Sequence, residues 1–111
     1  MLNALTVDVE EYFQVHAFEE VVGRENWENY ESRVETSTTR ILDILAETGT
    51  HATFFILGWI AERHPSLVRR IRDAGHEVAT HGYGHWLTYQ QTPEQFRTDL
   101  QRSLDIIQDI T

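Results

Sequence analysis

Ala52-Thr53-Phe54-Phe55-Ile56-Leu57 is a nearly unbroken apolar run, followed at once by Gly58-Trp59. A run of this length, with aromatic and β-branched residues, reads as a strand buried on both faces, the habit of strands in a parallel sheet. Upstream, Thr36 to Thr48 has helical period: Ile41, Leu42, Ile44 and Leu45 share one stripe, and Gly49 supplies a left-handed stop. Downstream, Trp59 to Ala74 is again helical, but Pro65 is costly inside a helix. The expectation is a short turn to Arg63, then a new helix with Pro65 at its first position and Gly75 beyond its end.

Further out the alternation continues. Leu2 to Val9 reads as a first strand, in which Leu5, Val7 and Val9 alternate with Thr6, Asp8 and Glu10. Glu77 to Thr80 reads as a third strand. Thr92-Pro93-Glu94-Gln95 is a capping box with proline at N1, opening a helix whose apolar stripe is Phe96, Leu100, Leu104 and Ile107. Tyr12 to about Glu35 has no period and reads as a long loop with a short helical turn. The order βαβαβα implies parallel strands joined by helical crossovers, an α/β fold. Three strands cannot close a barrel. The pattern therefore reads as the front part of an α/β barrel or sheet, cut before its next strand.

Bulk properties narrow the function classes. The chain has 111 residues, 41% of them hydrophobic and 24% charged, which suits one packed unit rather than disorder. A formal net charge of −9 argues against a nucleic-acid partner, because phosphate binding needs clustered cations. With no cysteine, any metal must be held by histidine and carboxylate. No apolar stretch reaches the roughly 18 residues of a membrane span, and no secretory leader is visible. A cytoplasmic location is the default expectation.

Two clusters carry chemistry. Asp8 and Glu10 stand two apart on a strand, so both point to one face, their Cα atoms roughly 6.5 Å apart. Alternation sends Glu11 to the other face. His81 and His85 have the i,i+4 spacing that places both imidazoles on one side of a helical turn, although Gly82 and Gly84 disfavour a helix there. Two histidines and one carboxylate leave an open position on a Zn²⁺-like ion, the arrangement of a catalytic site. The plainer alternatives are surface carboxylates at a strand end and unrelated loop histidines. His16, His51, His64 and His76 lack a partner at ligand spacing and are better read as packing or capping residues, His16 least securely. Tyr83 and Trp86 border the histidines and are candidates to stack on sugar rings.

Thr6-Val7-Asp8-Val9-Glu10-Glu11-Tyr12-Phe13, Ala52 to Gly58, and Gly75-His76-Glu77-Val78-Ala79-Thr80-His81-Gly82-Tyr83-Gly84-His85 resemble, in order and spacing, the first motifs of the polysaccharide deacetylases, the NodB-homology group of carbohydrate esterases. The Asp-Val-Glu-Glu-Tyr-Phe form is most similar to the exosortase-associated exopolysaccharide deacetylases of bacteria. The resemblance implies a deformed (β/α) TIM-like barrel, the NodB fold, with residues 1–111 as the N-terminal part of that domain. It also implies a hydrolase that removes acetyl groups from a polysaccharide with a divalent metal, commonly zinc. Carried over by position, Asp8 would be the general base, and Glu10, His81 and His85 the metal ligands. Many members have two adjacent aspartates; here Val9 intervenes and Glu10 stands in place of the second.

The same resemblance puts the general acid and an arginine motif beyond Thr111, so the chain is expected to bind metal with little or no turnover. A free edge on the third strand makes self-association an expectation. Two other readings compete. A glycosidase using Asp8 and Glu10 fits poorly, because glycosidase carboxylates flank the bond from opposite sides. A non-catalytic carbohydrate- or metal-binding fragment is the alternative from another class.

Overall fold

The computed structural model describes residues 1–111. Strands β1 (Thr6–Val9), β2 (Thr53–Ile56) and β3 (Glu77–Thr80) form one sheet in the order β1-β2-β3. Both pairings are parallel, with Val9 level with Ile56 and Ile56 level with Thr80. The helices that matter to the site are α1 (Glu19–Val22), α2 (Val34–Thr48), α3 (Gly58–Arg63), α4 (Pro65–Asp73) and α5 (Pro93–Ile110). The βαβαβα order expected from the sequence is present, and Pro65 does open a separate helix at its first turn.

A single apolar cluster holds these layers together. It joins Val9, Phe54 and Ile56 of the sheet to Leu42 and Leu45 of α2, Leu67, Val68 and Ile71 of α4, and Ile107 of α5. Burying each such side chain stabilises the fold by about 1.5–3 kcal/mol. Thr53 and Phe55, on the other face of β2, are only partly buried. The expectation of a strand buried on both faces is corrected: within these residues the core covers one face, and the other stays partly open. The first strand is also shorter than expected, since Leu2 to Leu5 are exposed and outside the sheet.

The segment from Tyr12 to Glu35 corrects the sequence reading most. It is a succession of short turns, with 3-10 helices at Tyr12–Gln14, His16–Phe18 and Arg24–Asn29 around α1. Phe13, Val22 and Trp27 form a small second core that leans on Trp59. Trp59 meets Phe13 and Trp27 edge to face, with ring centroids 6.0 and 5.5 Å apart. Edge-to-face contacts of this kind add about 0.5–1.5 kcal/mol each beyond burial. Short helical pieces carry no sustained period, so pattern reading could not separate them from a loop.

His76 is buried against Phe54, and its Nδ1 accepts the Ala52 N–H at 3.2 Å. Only a neutral imidazole can accept there. Burial, then the charge of the neighbouring His51, lowers its pKa from the ordinary 6.5. The unfolded chain therefore binds this proton more readily than the folded one, and stability rises with pH in that range. The contribution should be intact above about pH 6.5 and lost as pH falls from there toward the folded value. Urea midpoints taken from neutral pH down to about pH 5 should fall in the parent and fall less steeply in His76→Ala. Parallel curves would assign the dependence elsewhere.

Candidate metal centre

The register decides where the polar residues meet. Val9, Ile56 and Thr80 are level, so Glu10 and His81 come just past the ends of β1 and β3, flanking β2. Asp8 is level with Phe55, and Phe55 with Ala79. Two-residue alternation then puts Asp8, Glu10 and His81 on the partly open sheet face, opposite Val9 and Ile56. This is the carboxyl end of a parallel sheet, where α/β folds gather their binding residues.

The side chains converge as expected. His85 Nε2 lies 3.1 Å from Glu10 Oε2, and His81 Nε2 lies 3.9 Å from the same oxygen. One ligand atom from each of Glu10, His81 and His85 can be chosen so that all lie within 4.8 Å of one another. Donors about 2.0–2.1 Å from a tetrahedral zinc stand roughly 3.3 Å apart, which the two Glu10 distances bracket. Glu10 Oε2 and His81 Nε2 are both buried, yet neither has a hydrogen-bond partner. An orphaned buried polar atom costs about 1–3 kcal/mol. A divalent cation among them would remove that cost, so this donor set fits one. Asp8 is more open, its side chain 55% exposed, with Oδ2 3.9 Å from His81 Nε2.

The loop that carries the histidines is not the helical turn expected from their spacing. Gly82 sits at φ 76° and His85 at φ 56°, and no helix is present. The imidazoles still face one another, with centroids 5.2 Å apart, because the backbone is held from outside. The Gly82 carbonyl accepts from Gly58 N at 2.8 Å and the Tyr83 carbonyl from Trp59 N at 3.3 Å, both donors belonging to the first turn of α3. That approach requires glycine: a Cβ on Gly58 would stand 2.7 Å from Tyr83 Cδ2 and 3.0 Å from Ser103 Cβ. The Gly82 amide donates to Thr80 Oγ1, which is itself 2.7 Å from Ser103 Oγ on α5.

Tyr83 and Trp86 are neighbours of the two histidines in the chain, and both side chains are engaged by other residues. The Tyr83 hydroxyl donates to Glu62 at 2.6 Å, and the Arg102 guanidinium lies over its ring at 3.6 Å. Burial, then the bond to Glu62, pushes the pKa of that hydroxyl up. Trp86 is 49% exposed, with the Arg24 guanidinium 3.6 Å over its ring. The Arg24 pKa is lowered by burial, against the opposing pull of Glu19 and then Asp99. Of the remaining histidines, His16 pairs with Glu19 at 2.9 Å and lies outside the ligand group.

Glu11 turns away from this face, as alternation requires, and is buried under the start of α2. Its Oε1 accepts from Val34 N at 3.1 Å and its Oε2 from Arg33 N at 3.0 Å, and Ser32 Oγ donates to it as well. Sequence reading missed two residues beside the site, Asp99 and Arg24. A signal existed for Asp99. It shares an i,i+4,i+8 stripe with Ser103 and Ile107, both buried, so the inward face of α5 takes in polar residues beside Ile107, the buried end of the expected stripe. Phe96 itself is exposed.

Comparison with known proteins bears on the family and the fold. A family model described as "Polysaccharide deacetylase" matches residues 21–111. A peptidoglycan-N-acetylglucosamine deacetylase of Bacillus cereus is 34% identical over 70 residues, covering 63% of this chain and 26% of that protein. A chitooligosaccharide deacetylase of Rhizobium leguminosarum is 52% identical over 48 residues, covering 43% of this chain and 22% of that protein. The chain thus spans only about a quarter of these curated relatives. Among solved structures, a peptidoglycan deacetylase of Bacillus subtilis superposes with a TM-score of 0.73 at 26% identity, covering 97% of this chain and 43% of that one. A family 4 carbohydrate esterase pseudoenzyme of Bacillus anthracis gives 0.70 at 26% identity, covering 97% and 31%. The α/β sheet with its helices is therefore a NodB-type fold, and the chain belongs to the polysaccharide deacetylase family.

Proposed function

We propose that this chain contributes the metal-and-base part of a hydrolase that removes acetyl groups from a polysaccharide, with N-acetylated sugars of an exopolysaccharide as the substrate class and zinc as the metal. The observation that carries the reading is the convergence of Glu10, His81 and His85 around two buried atoms that no hydrogen bond satisfies. When bound, a divalent cation supplies Lewis-acid chemistry, acidifying a water and polarising a carbonyl.

The chain's own residues divide the remaining work. Glu10, His81 and His85 would hold the ion, and three protein ligands leave a position for the reactants. His81 and His85 must be neutral to ligate, since a protonated imidazole has no free lone pair. Asp8 is the nearest carboxylate that the ligand set does not use, and it faces the same open side of the sheet. Its Oδ2 would take the proton from the attacking water, within reach of His81 Nε2 at 3.9 Å. Glu11, bound to the N-terminal amides of α2, is occupied and does not compete for this role. Trp86, half-exposed, would stack on a sugar ring, its neighbour Tyr83 being the second candidate. No residue among the 111 is assigned as the acid that protonates the leaving amine.

The family includes a pseudoenzyme among its solved structures, so membership alone does not establish turnover. The test is acetate release from an N-acetylated glycan. The protein that carries these residues should lose at least about a hundred-fold in Asp8→Asn. Full activity in Asp8→Asn would remove Asp8 as the base.

A further inference from the structure

The His81–His85 loop has little shape of its own. Gly82 and His85 both adopt positive φ, and the backbone groups of Gly82 to Gly84 find their partners outside the loop or in a side chain. Two of those outside partners are charged side chains from opposite sides. On α5, Asp99 accepts from the Tyr83 amide through Oδ2 at 2.9 Å and from the Gly84 amide through Oδ1 at 3.0 Å. From the segment after β1, Arg24 donates to the Gly84 carbonyl through Nη1 and to the His85 carbonyl through Nη2, the latter at 3.0 Å. The carboxylate takes donors and the guanidinium takes acceptors, on successive peptide groups. The Arg24 fork is itself fixed, lying 3.6 Å over the Trp86 ring and 5.0 Å from the Trp27 ring.

We infer that Asp99 and Arg24 are positioning residues for the two histidines: this paired clamp holds the loop in the one shape that turns both imidazoles toward Glu10. The inference rests on the metal-site reading above and deepens it. Neither residue touches a reactant. Each acts through the backbone that carries His81 and His85, so its loss should appear as weaker ion binding rather than as lost folding. Partners one step removed from the ligands commonly change metal affinity ten- to a hundred-fold.

Two conservative variants separate a clamp from mere packing. Asp99→Asn keeps shape but turns an amide NH₂ toward a backbone N–H, and Arg24→Lys keeps charge but cannot fork onto two carbonyls. Asp105→Asn, on the exposed side of the same helix, is the control. Zinc alone is titrated into the metal-free protein against a competing chelator, beside urea unfolding, amide exchange at Tyr83 and Gly84, and the NOE between the His81 and His85 rings. Asp99→Asn and Arg24→Lys should each weaken zinc binding roughly ten-fold or more, with the urea midpoint close to that of the parent. In Asp99→Asn the two amides should exchange faster, and the ring NOE should fade. Parental zinc affinity in both variants would overturn the inference. Should the parent itself bind no zinc, the metal reading fails and the clamp is judged by the NOE: its loss in Asp99→Asn supports the clamp, and its retention refutes it. Should Asp99→Asn unfold, Arg24→Lys decides by the same readouts.

Discussion

Replacing Glu11 with alanine should cost about 2–4 kcal/mol of stability, more than most single substitutions. The side chain is 1% exposed and close to the candidate ligand Glu10, yet it points the other way. Its two oxygens bind the backbone amides of Arg33 and Val34 and the hydroxyl of Ser32. Those amides begin α2, where the helix dipole favours a negative charge. Hydrogen bonds to a charged group contribute about 1.5–3 kcal/mol each, and burying the carboxylate offsets part of their sum. Alanine removes every acceptor at once and strands the Arg33 and Val34 N–H groups. Glu11→Gln keeps one carbonyl oxygen and should lose roughly half as much. The shift in urea midpoint measures both. An unchanged midpoint in Glu11→Ala would mean that the helix start is held by something else.

This bond set also matters to the site. Glu11 ties the end of β1 to α2, Gln14 Oε1 accepts the Glu11 amide at 2.8 Å, and the Val9 carbonyl accepts from Leu57 N at 3.3 Å, so the backbone leaving β1 is fixed on both sides of Glu10. A carboxylate ligand on a frayed strand end would lose rotamer freedom on binding an ion; here the strand end is already held.

Much of this was legible in the sequence. Period-two alternation placed Asp8 and Glu10 on one face and Glu11 on the other, and it did so because a strand side chain has only two directions to choose from. Pro65 and the Thr92–Gln95 box marked helix starts by local chemistry alone. The His81 and His85 pair was found for a partly mistaken reason. Their spacing suggested a helical turn, whereas the convergence comes from a non-helical loop shaped by α3, α5 and Arg24. That shape depends on contacts between residues far apart in the chain, which spacing cannot encode. Arg24 was invisible for the same reason, being an ordinary charge until the fold brings it against a backbone, and Asp99 was passed over although it stands at i,i+4,i+8 spacing with Ser103 and Ile107. The second core around Phe13, Val22, Trp27 and Trp59 was hidden by the lack of any period across short turns. The buried face of α5 was read correctly at Ile107 but not at Phe96, which is exposed, because the sequence reading followed apolar residues and the inward face also includes Asp99 and Ser103.

The second large effect expected is on metal binding, and it bears on the central claim. Truncating Glu10 or His81 to alanine removes one of the three donors and should reduce zinc affinity by several orders of magnitude, since no other ligand group of this kind stands in the chain. Folding should change little, because Glu10 Oε2 and His81 Nε2 make no hydrogen bond that the fold would miss. Asp8→Asn is the internal comparison: Asp8 is assigned to proton transfer, so this variant should retain zinc.

The measurement to make is zinc content by elemental analysis, after purification without chelator, of the parent, Glu10→Ala, His81→Ala and Asp8→Asn. One equivalent of zinc in the parent and in Asp8→Asn, with none in the other two, is the expected result. Zinc retained in Glu10→Ala and His81→Ala, or absent from a folded parent supplied with excess zinc, would contradict the metal centre described here.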